Sequence, residues 1–543
     1  MSGAGVPWET PESEAQLWVD THTARVAPLH REANLAEWQS ATTGTEAAAD
    51  RLAEARLALK RVYSDADAAD RVREWLEGDE VRDPLLRRQL VLLDHEYRAN
   101  ALSPETLADL TEREAELDRV FNTFRAELEG ERVTNNRILE ILREEDDNER
   151  RRAAWEASKQ IGGEVAEPLR ELVRRRNAAA RSLGYPDYYR MQLELQEIDP
   201  ERLFALLNDF ERRTEPAFRS LRDEQDRALA KRFGLAPEAL RPWHWADPFA
   251  QRAPGVGGVD LDGFFADRQA VPVAADFFRD LGLPVDDVLA RSDLLEREGK
   301  SQHGFCIDVD RSGDVRVLCN LRPDEFWMHV LLHELGHAAY DKYLPGELPF
   351  LLRAPAHTLT TEAIAMYAGR LTRDPDWLRE VLDAPLDDRQ ADEVRAQQRA
   401  ELLGATRWML VMAHFERALY EDPDRDDLNA FWWELVERFQ KIRAPDDRDE
   451  PDWAAKIHLA LAPVYYHNYL LGELMASQLT AAAGTRPGEG NGANKDAGRF
   501  FRERVFAAGA SERWDELVAD ATGEELSPKY FIQQFVTSQT VDS

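Results

Sequence analysis

Two histidines and a glutamate fall within five residues at His333-Glu334-Leu335-Gly336-His337, inside the apolar, helix-forming run FWMHVLLHELGHAAY from Phe326 to Tyr340. Residues four apart share one face of a helix, so the imidazoles of His333 and His337 point the same way and can grip one metal ion with Glu334 beside it. Zinc suits two neutral imidazoles plus a carboxylate, and it lowers the pKa of bound water to about 7, where a neighbouring glutamate can take the proton. That is the chemistry of peptide-bond hydrolysis by a zinc enzyme. The same pattern also arises by chance in helices. Here Val330, Leu331 and Leu332 precede it and Ala338 and Ala339 follow, which describes a buried helix where two histidines and a glutamate are costly without a metal.

A catalytic zinc takes three protein ligands and keeps one open position. After a break at Tyr343-Leu344-Pro345-Gly346, the apolar segment TTEAIAMYAGRL (Thr360 to Leu371) predicts a second helix with Glu362 in its first turn, 25 residues beyond His337. A buried carboxylate there needs a cation, and zinc would be one; the alternative is an exposed glutamate favoured by the helix dipole. Upstream, GFCIDVDRSGDVRVLCN predicts a hairpin with strands Phe305 to Asp308 and Val315 to Cys319 around the turn Asp310-Arg311-Ser312-Gly313. Its edge could pair with a peptide backbone, or it is a structural flap.

The remaining chain reads as long amphipathic helices, from about Pro11 to Glu129 and again over 134–240. The triplet Arg174-Arg175-Arg176 reads as a solvated face, and Trp243-His244-Trp245 as core more readily than as a channel lining. Glycine and proline mark a loop from Pro254 to Gly258, and GTRPGEGNGANKDAG (Gly484 to Gly498) reads as a surface loop. The acidic stretches Glu421 to Asp427 and Asp446 to Asp452 read as solvated connections. In AKIHLALAPVYYHNYLLGELMASQL, so many hydrogen-bonding tips in an apolar run suggest a channel wall.

The 543 residues carry 103 acidic and 69 basic side chains, a formal net charge of −34, which argues against nucleic acid or an anionic membrane as a partner. Cys306 and Cys319 are the two cysteines, so no disulfide framework is expected and both read as reduced. The start MSGAGVPWETPESEAQ lacks the features of a signal peptide, and no uncharged apolar run approaches the roughly 20 residues that span a bilayer. A cytoplasmic protein acting on short peptides is expected, with no nucleic-acid or membrane partner.

The order of a paired-cysteine segment, HExGH, a glutamate two dozen residues later, Lys456-x-His458 and a Y-x-x-Y pair resembles the angiotensin-converting-enzyme family of zinc peptidyl-dipeptidases. More distantly it resembles the thimet oligopeptidase and oligoendopeptidase families. The resemblance is strongest from Cys306 to Met475, with weaker echoes at Glu32-Ala33-Asn34 and in the RLFALL segment after Glu201. It implies a mainly α, two-lobed fold with a deep central channel and a small β-hairpin beside the active site. Residues 1–543 would form one catalytic unit with lobes interleaved in sequence, helices at about 11–130 contributing to a lid and the zinc and substrate core at about 300–480. It implies one zinc ion on His333, His337 and Glu362, with Glu334 as general base and then acid. Lys456 would hold the substrate's C-terminal carboxylate with Tyr466 assisting, His458 would bond a substrate carbonyl, and Tyr469 would donate to the oxyanion.

Three departures from the family pattern bear on the site. The family's interval between the histidine and its first tyrosine is one residue shorter than His458 to Tyr466, so Tyr465 competes for that place. Where the family has a supporting aspartate four residues after the zinc glutamate, Met366 stands, and another group must orient the ligand. The hairpin is also shorter, and Ile307-Asp308 replaces the His-Ala pair after the family's first cysteine. The expected activity is release of C-terminal dipeptides from short peptides. The alternatives are an oligoendopeptidase or metallocarboxypeptidase on the same fold, and a zinc-stabilised peptide-binding scaffold without catalysis.

Overall fold

Helix starts are written into this sequence as caps. Thr10, Asp83, Ser103, Asp147, Asp199 and Asp324 each accept a first-turn backbone N–H of the helix they precede. Pro11, Pro84, Pro104 and Pro200 follow four of these caps, where proline supplies the helical φ and forfeits no hydrogen bond. The computed structural model, which describes residues 10–252, 258–484 and 493–537, is accordingly mainly α. Among the described residues four short strands form two antiparallel hairpins: β1 (Ala126–Leu128) with β2 (Glu131–Val133), and β3 (Phe305–Asp308) with β4 (Val315–Leu318).

The chain divides into two units. The first takes the chain up to Leu102, Asp260–Pro385 and Met475–Leu526. In its N-terminal part, helices Pro11–Thr43, Ala66–Glu77 and Pro84–Ala99 bury Val19, Val26, Val72, Leu86, Leu90 and Leu93 in one apolar cluster with Tyr63 and Tyr97. Its second segment holds the β3–β4 hairpin and the helices Glu325–Lys342 and Thr358–Gly369. The second unit takes Ser103–Val259, Leu386–Leu474 and the chain from Ser527. Its core is aromatic: Trp155 meets Trp243 and Trp433, and Trp408 meets Phe249, Trp432 and Tyr466.

The predicted hairpin at residues 305–319 forms with Phe305 opposite Leu318 and Cys306 opposite Val317. Both cysteines are free thiols. The β1–β2 hairpin is a correction, since helix was expected to reach Glu129. Glu129 and Gly130 both have positive φ, 57° and 82°, as a tight hairpin turn requires, and Glu-Gly signals this far less clearly than Asn-Gly. The glycine-rich segment is only partly a loop: residues 485–492 lie outside the described residues and Ala493–Phe500 is helical. Most of the Pro254 to Gly258 loop also lies outside them.

Arg176 corrects the reading of its triplet. It is 1% exposed and donates to Glu114, the Tyr420 hydroxyl and the Ala460 carbonyl. Its neighbours Arg174 and Arg175 do pair with Glu171 at the surface. Asp452 is likewise buried rather than solvated, held by Arg448 and by the Trp433 indole N–H.

Candidate active site

The helix Glu325–Lys342 begins at Asp324, whose side chain accepts the Trp327 N–H at 2.8 Å. It carries His333 and His337 on one face, with ring centroids 4.9 Å apart and planes at 84°. The helix Thr358–Gly369 brings Glu362 against them: Oε2 lies 3.7 Å from His333 Nε2, and the donor atoms of His333, His337 and Glu362 all fall within 4.8 Å of one another. Glu362 sits in the second turn, and at 7% exposure it is buried rather than solvated.

The chemistry of this donor set fits zinc. Burial holds both imidazoles neutral, His333 well below its ordinary pKa and His337 at about 4, so each offers a lone pair. His337 Nδ1 is 2.7 Å from Thr361 Oγ1, which leaves Nε2 for a metal and fixes the ring. Met366, where a supporting carboxylate was sought, is an apolar buried side chain. Thr361, next to the glutamate, instead orients one of the histidines.

Small residues let the two helices meet. A Cβ on Gly336 would stand 2.7 Å from Ala365 Cα and 2.9 Å from the Ile364 carbonyl oxygen, so the glycine inside HELGH is what allows this spacing. One turn before His333, the His329 ring packs on Gly369, 3.0 Å from where a Cβ would stand, and its Nδ1 reaches the Gly369 carbonyl at 2.8 Å. This bond ties the two helices that carry the His-His-Glu group together near the end of the second.

Glu334 is 8% exposed and accepts the backbone N–H of Cys306 on β3. Burial, and then the neighbouring Glu362 carboxylate, push it up to about 8. A cation between the two carboxylates offsets that repulsion. β3 therefore meets the metal helix as the sequence suggested, and its documented contact is with Glu334. The thiol of Cys306 faces Asp341 at 3.9 Å, a partly buried carboxyl raised by burial to about 8.

The other expected residues lie in the second unit. Lys456 Nζ donates to Gln251 Oε1 at 2.8 Å and stands 5.3 to 5.8 Å from the ring centres of Trp408, Phe249 and Tyr466. Burial pulls it down to about 8, opposed by Asp247. Tyr466 is 5% exposed; its hydroxyl accepts from Trp408 Nε1 at 3.1 Å, and its ring meets His458 and Tyr469 at 5.0 and 5.4 Å. Tyr465 stacks its edge on Tyr469 at 5.1 Å. Of the two competing tyrosines, Tyr466 stands beside Lys456 and His458.

The turn before these tyrosines is strained. Val464, a β-branched residue, has φ of 56°. It is held there by its N–H donating to Glu416 at 2.7 Å and its carbonyl accepting from Gln196 at 3.2 Å. Gln196 also meets His467 and Asn468, which are 1% and 2% exposed, so these two tips are buried in the core. Sequence reasoning missed Gln251, Thr361 and His329. Thr361 and His329 were within reach of the motif itself, but Gln251 lies 205 residues from its partner Lys456.

Two protein-family models match the chain. The model for angiotensin-converting enzyme, peptidase family M2, matches residues 9–238, and the model for peptidase family M3 matches residues 289–537. The region from Cys306 to Met475, where the resemblance to the first family had looked strongest, thus falls inside the match to the second. No helix among the described residues is long and apolar enough to cross a membrane. Both families are gluzincin zinc peptidases, and the chain is a zinc metallopeptidase of that group, matching the angiotensin-converting-enzyme family in its N-terminal part and peptidase family M3 in the part that carries the His-His-Glu group.

Proposed function

We propose that this enzyme is a peptidyl-dipeptidase that removes C-terminal dipeptides from short peptides. The observation that carries the reading is Lys456: an ammonium enclosed by three aromatic rings, with Gln251 Oε1 as its hydrogen-bond acceptor. A cation in such surroundings is a suitable anchor for a carboxylate, because charge-assisted hydrogen bonds gain strength where water is excluded. Tyr466 stands beside it as a second donor.

His333, His337 and Glu362 hold the zinc in this reading. When bound, zinc supplies a Lewis acid for the scissile carbonyl and acidifies the attacking water. Glu334, positioned by the Cys306 N–H, takes the proton of that water and delivers it to the leaving amine. Thr361 keeps His337 in register. By the family pattern His458 donates to a substrate carbonyl, and the Tyr469 phenol donates to the oxyanion of the tetrahedral intermediate.

The test compares a peptide with its C-terminal amide in the native enzyme and in Lys456→Ala. A carboxylate anchor predicts that the native enzyme loses much of its kcat/KM on the amide, and that the variant treats the two substrates alike. Equal rates on acid and amide in the native enzyme would refute the dipeptidase reading. A second reading, an oligopeptidase that cuts internal bonds without gripping the C-terminus, is favoured by the family M3 match over residues 289–537. It predicts that equality.

A further inference from the structure

Lys456 follows the short helical turn Asp452–Ala455, but the oxygen it donates to comes from Gln251, at the end of the stretch Asp247-Pro248-Phe249-Ala250-Gln251. The Asp247 carboxylate gathers that stretch around itself. Its Oδ1 accepts the Phe249 N–H at 3.0 Å, and its Oδ2 accepts the N–H groups of Gln251 and Arg252 at 3.0 and 3.3 Å. Oδ1 also accepts from the Gln251 side chain, whose Nε2 lies 3.4 Å away. This last bond decides which way the amide faces. With Nε2 on Asp247, Oε1 is the end left for Lys456, 2.8 Å away; turned over, the amide would set a donor against the ammonium and an acceptor against the carboxylate.

The backbone of the stretch is also secured by other groups. Trp155 Nε1 donates to the Pro248 carbonyl at 3.0 Å, and Gln440 Nε2 donates to the Phe249 and Ala250 carbonyls at 3.0 and 2.9 Å. Asp247 differs from these in carrying charge. Burial lowers Lys456 to about 8, and Asp247 is the charge that opposes it. A second ammonium is close: Lys159 of the helix Asn148–Ser182, 4% exposed, stands 3.2 Å from the Phe249 ring centre, and Lys456 stands 5.5 Å from the same centre. The carboxylate nearer in sequence, Asp452, is engaged by Arg448. The remaining titratable neighbours are the Tyr466 phenol, which burial keeps protonated, and His458, whose ring meets Tyr466.

We propose that Asp247 is the positioning residue of the carboxylate anchor: it turns the Gln251 amide so that Oε1 receives Lys456, and its negative charge holds Lys456 in the ammonium form against burial and against Lys159. The proposal rests on the reading of Lys456 as the grip for a substrate's C-terminus. Asp247 touches no substrate in this role and acts through Gln251 and Lys456.

The test uses full-length Asp247→Asn, which keeps a side-chain oxygen for the loop N–H groups and removes the charge. Asp247→Ser, whose hydroxyl still accepts one such N–H, takes its place if the first variant fails to fold. Two readouts separate positioning from loop capping. Competitive acetylation with acetic anhydride across pH, quantified at Lys456 by peptide mass spectrometry, follows its titration without turnover; Lys456 is partly exposed and open to the reagent. The kcat/KM ratio between a peptide and its C-terminal amide, across the same pH range, follows the grip. In the variant the acetylation midpoint of Lys456 should fall by at least about 0.5 pH unit, and the preference for the free acid should be lost at a correspondingly lower pH. If the native enzyme prefers the acid but the variant keeps the native midpoint and the native pH dependence of that preference, the proposal is overturned and the dipeptidase reading stands. Failure of both variants to melt cooperatively would also overturn it, because the carboxylate would then serve the fold. Equal rates on acid and amide in the native enzyme would remove the grip itself, and the dipeptidase reading would fall together with the role given to Asp247.

Discussion

Replacing Gly336 by alanine puts a methyl carbon 2.7 Å from Ala365 Cα and 2.9 Å from the Ile364 carbonyl oxygen. Both neighbours are backbone, so neither can swing aside. Restoring an ordinary contact of about 3.4 Å moves the two ligand-bearing helices apart by roughly 0.7 Å, more than the ~0.5 Å within which a metal constellation must be held. Alanine gains about 1 kcal/mol over glycine in a helix interior, whereas overpacking a core costs about 1–3 kcal/mol. The net expectation is a loss of up to about 2 kcal/mol in stability and at least a ~10-fold loss in zinc affinity as Glu362 retreats from His333. Gly163, in the helix Asn148–Ser182, is the control, because a Cβ there meets nothing within 4 Å. Gly163→Ala should stabilise by about 0.5–1 kcal/mol. Thermal melting of the metal-free proteins and chelator competition for zinc read the two effects separately. If Gly336→Ala melts no lower than the native protein and binds zinc equally well, close approach of these helices is not what the glycine provides.

Thr361→Val removes the hydroxyl at His337 Nδ1 and should weaken zinc about 10- to 100-fold by chelator competition, with the melting of the metal-free protein nearly unchanged. Glu334→Gln should keep zinc, measured by elemental analysis, while turnover falls by about 10²–10⁴ or more. Burial lowers Lys456 to about 8, so its charged form is present below that pH and lost as pH rises through it. Accordingly, kcat/KM on a free-acid peptide should fall above about pH 8, relative to the same peptide as its amide. Glu416→Ala leaves the Val464 N–H unpaired in a left-handed turn and should lower stability by about 1–3 kcal/mol in denaturant unfolding, with Val464→Gly recovering part of the loss.

What could be read from sequence was what is local. HELGH and Glu362 declare themselves because a helix converts spacing directly into a shared face, and the 305–319 hairpin because alternating apolar residues flank a polar turn. Thr361 escaped notice because a hydroxyl beside a glutamate carries no pattern until a second helix is placed against it. Gln251 was out of reach for a different reason: its partner Lys456 is 205 residues away, and only the tertiary fold joins them. Arg176 shows the same limit. Three consecutive arginines look equally solvated in sequence, yet the helix turns one of them inward to Tyr420 and Ala460. Glu129-Gly130 made its turn with a residue that seldom takes positive φ, which is why that hairpin read as helix.

The most direct test of the account is product analysis of one N-terminally labelled oligopeptide with zinc-loaded enzyme, read by mass spectrometry alongside Glu334→Gln. The account predicts stepwise loss of C-terminal dipeptides by the native enzyme and an intact peptide with the variant. Cleavage at internal bonds alone, or single C-terminal residues released, would contradict the peptidyl-dipeptidase assignment, and equal turnover by Glu334→Gln would contradict the role given to the glutamate of the motif.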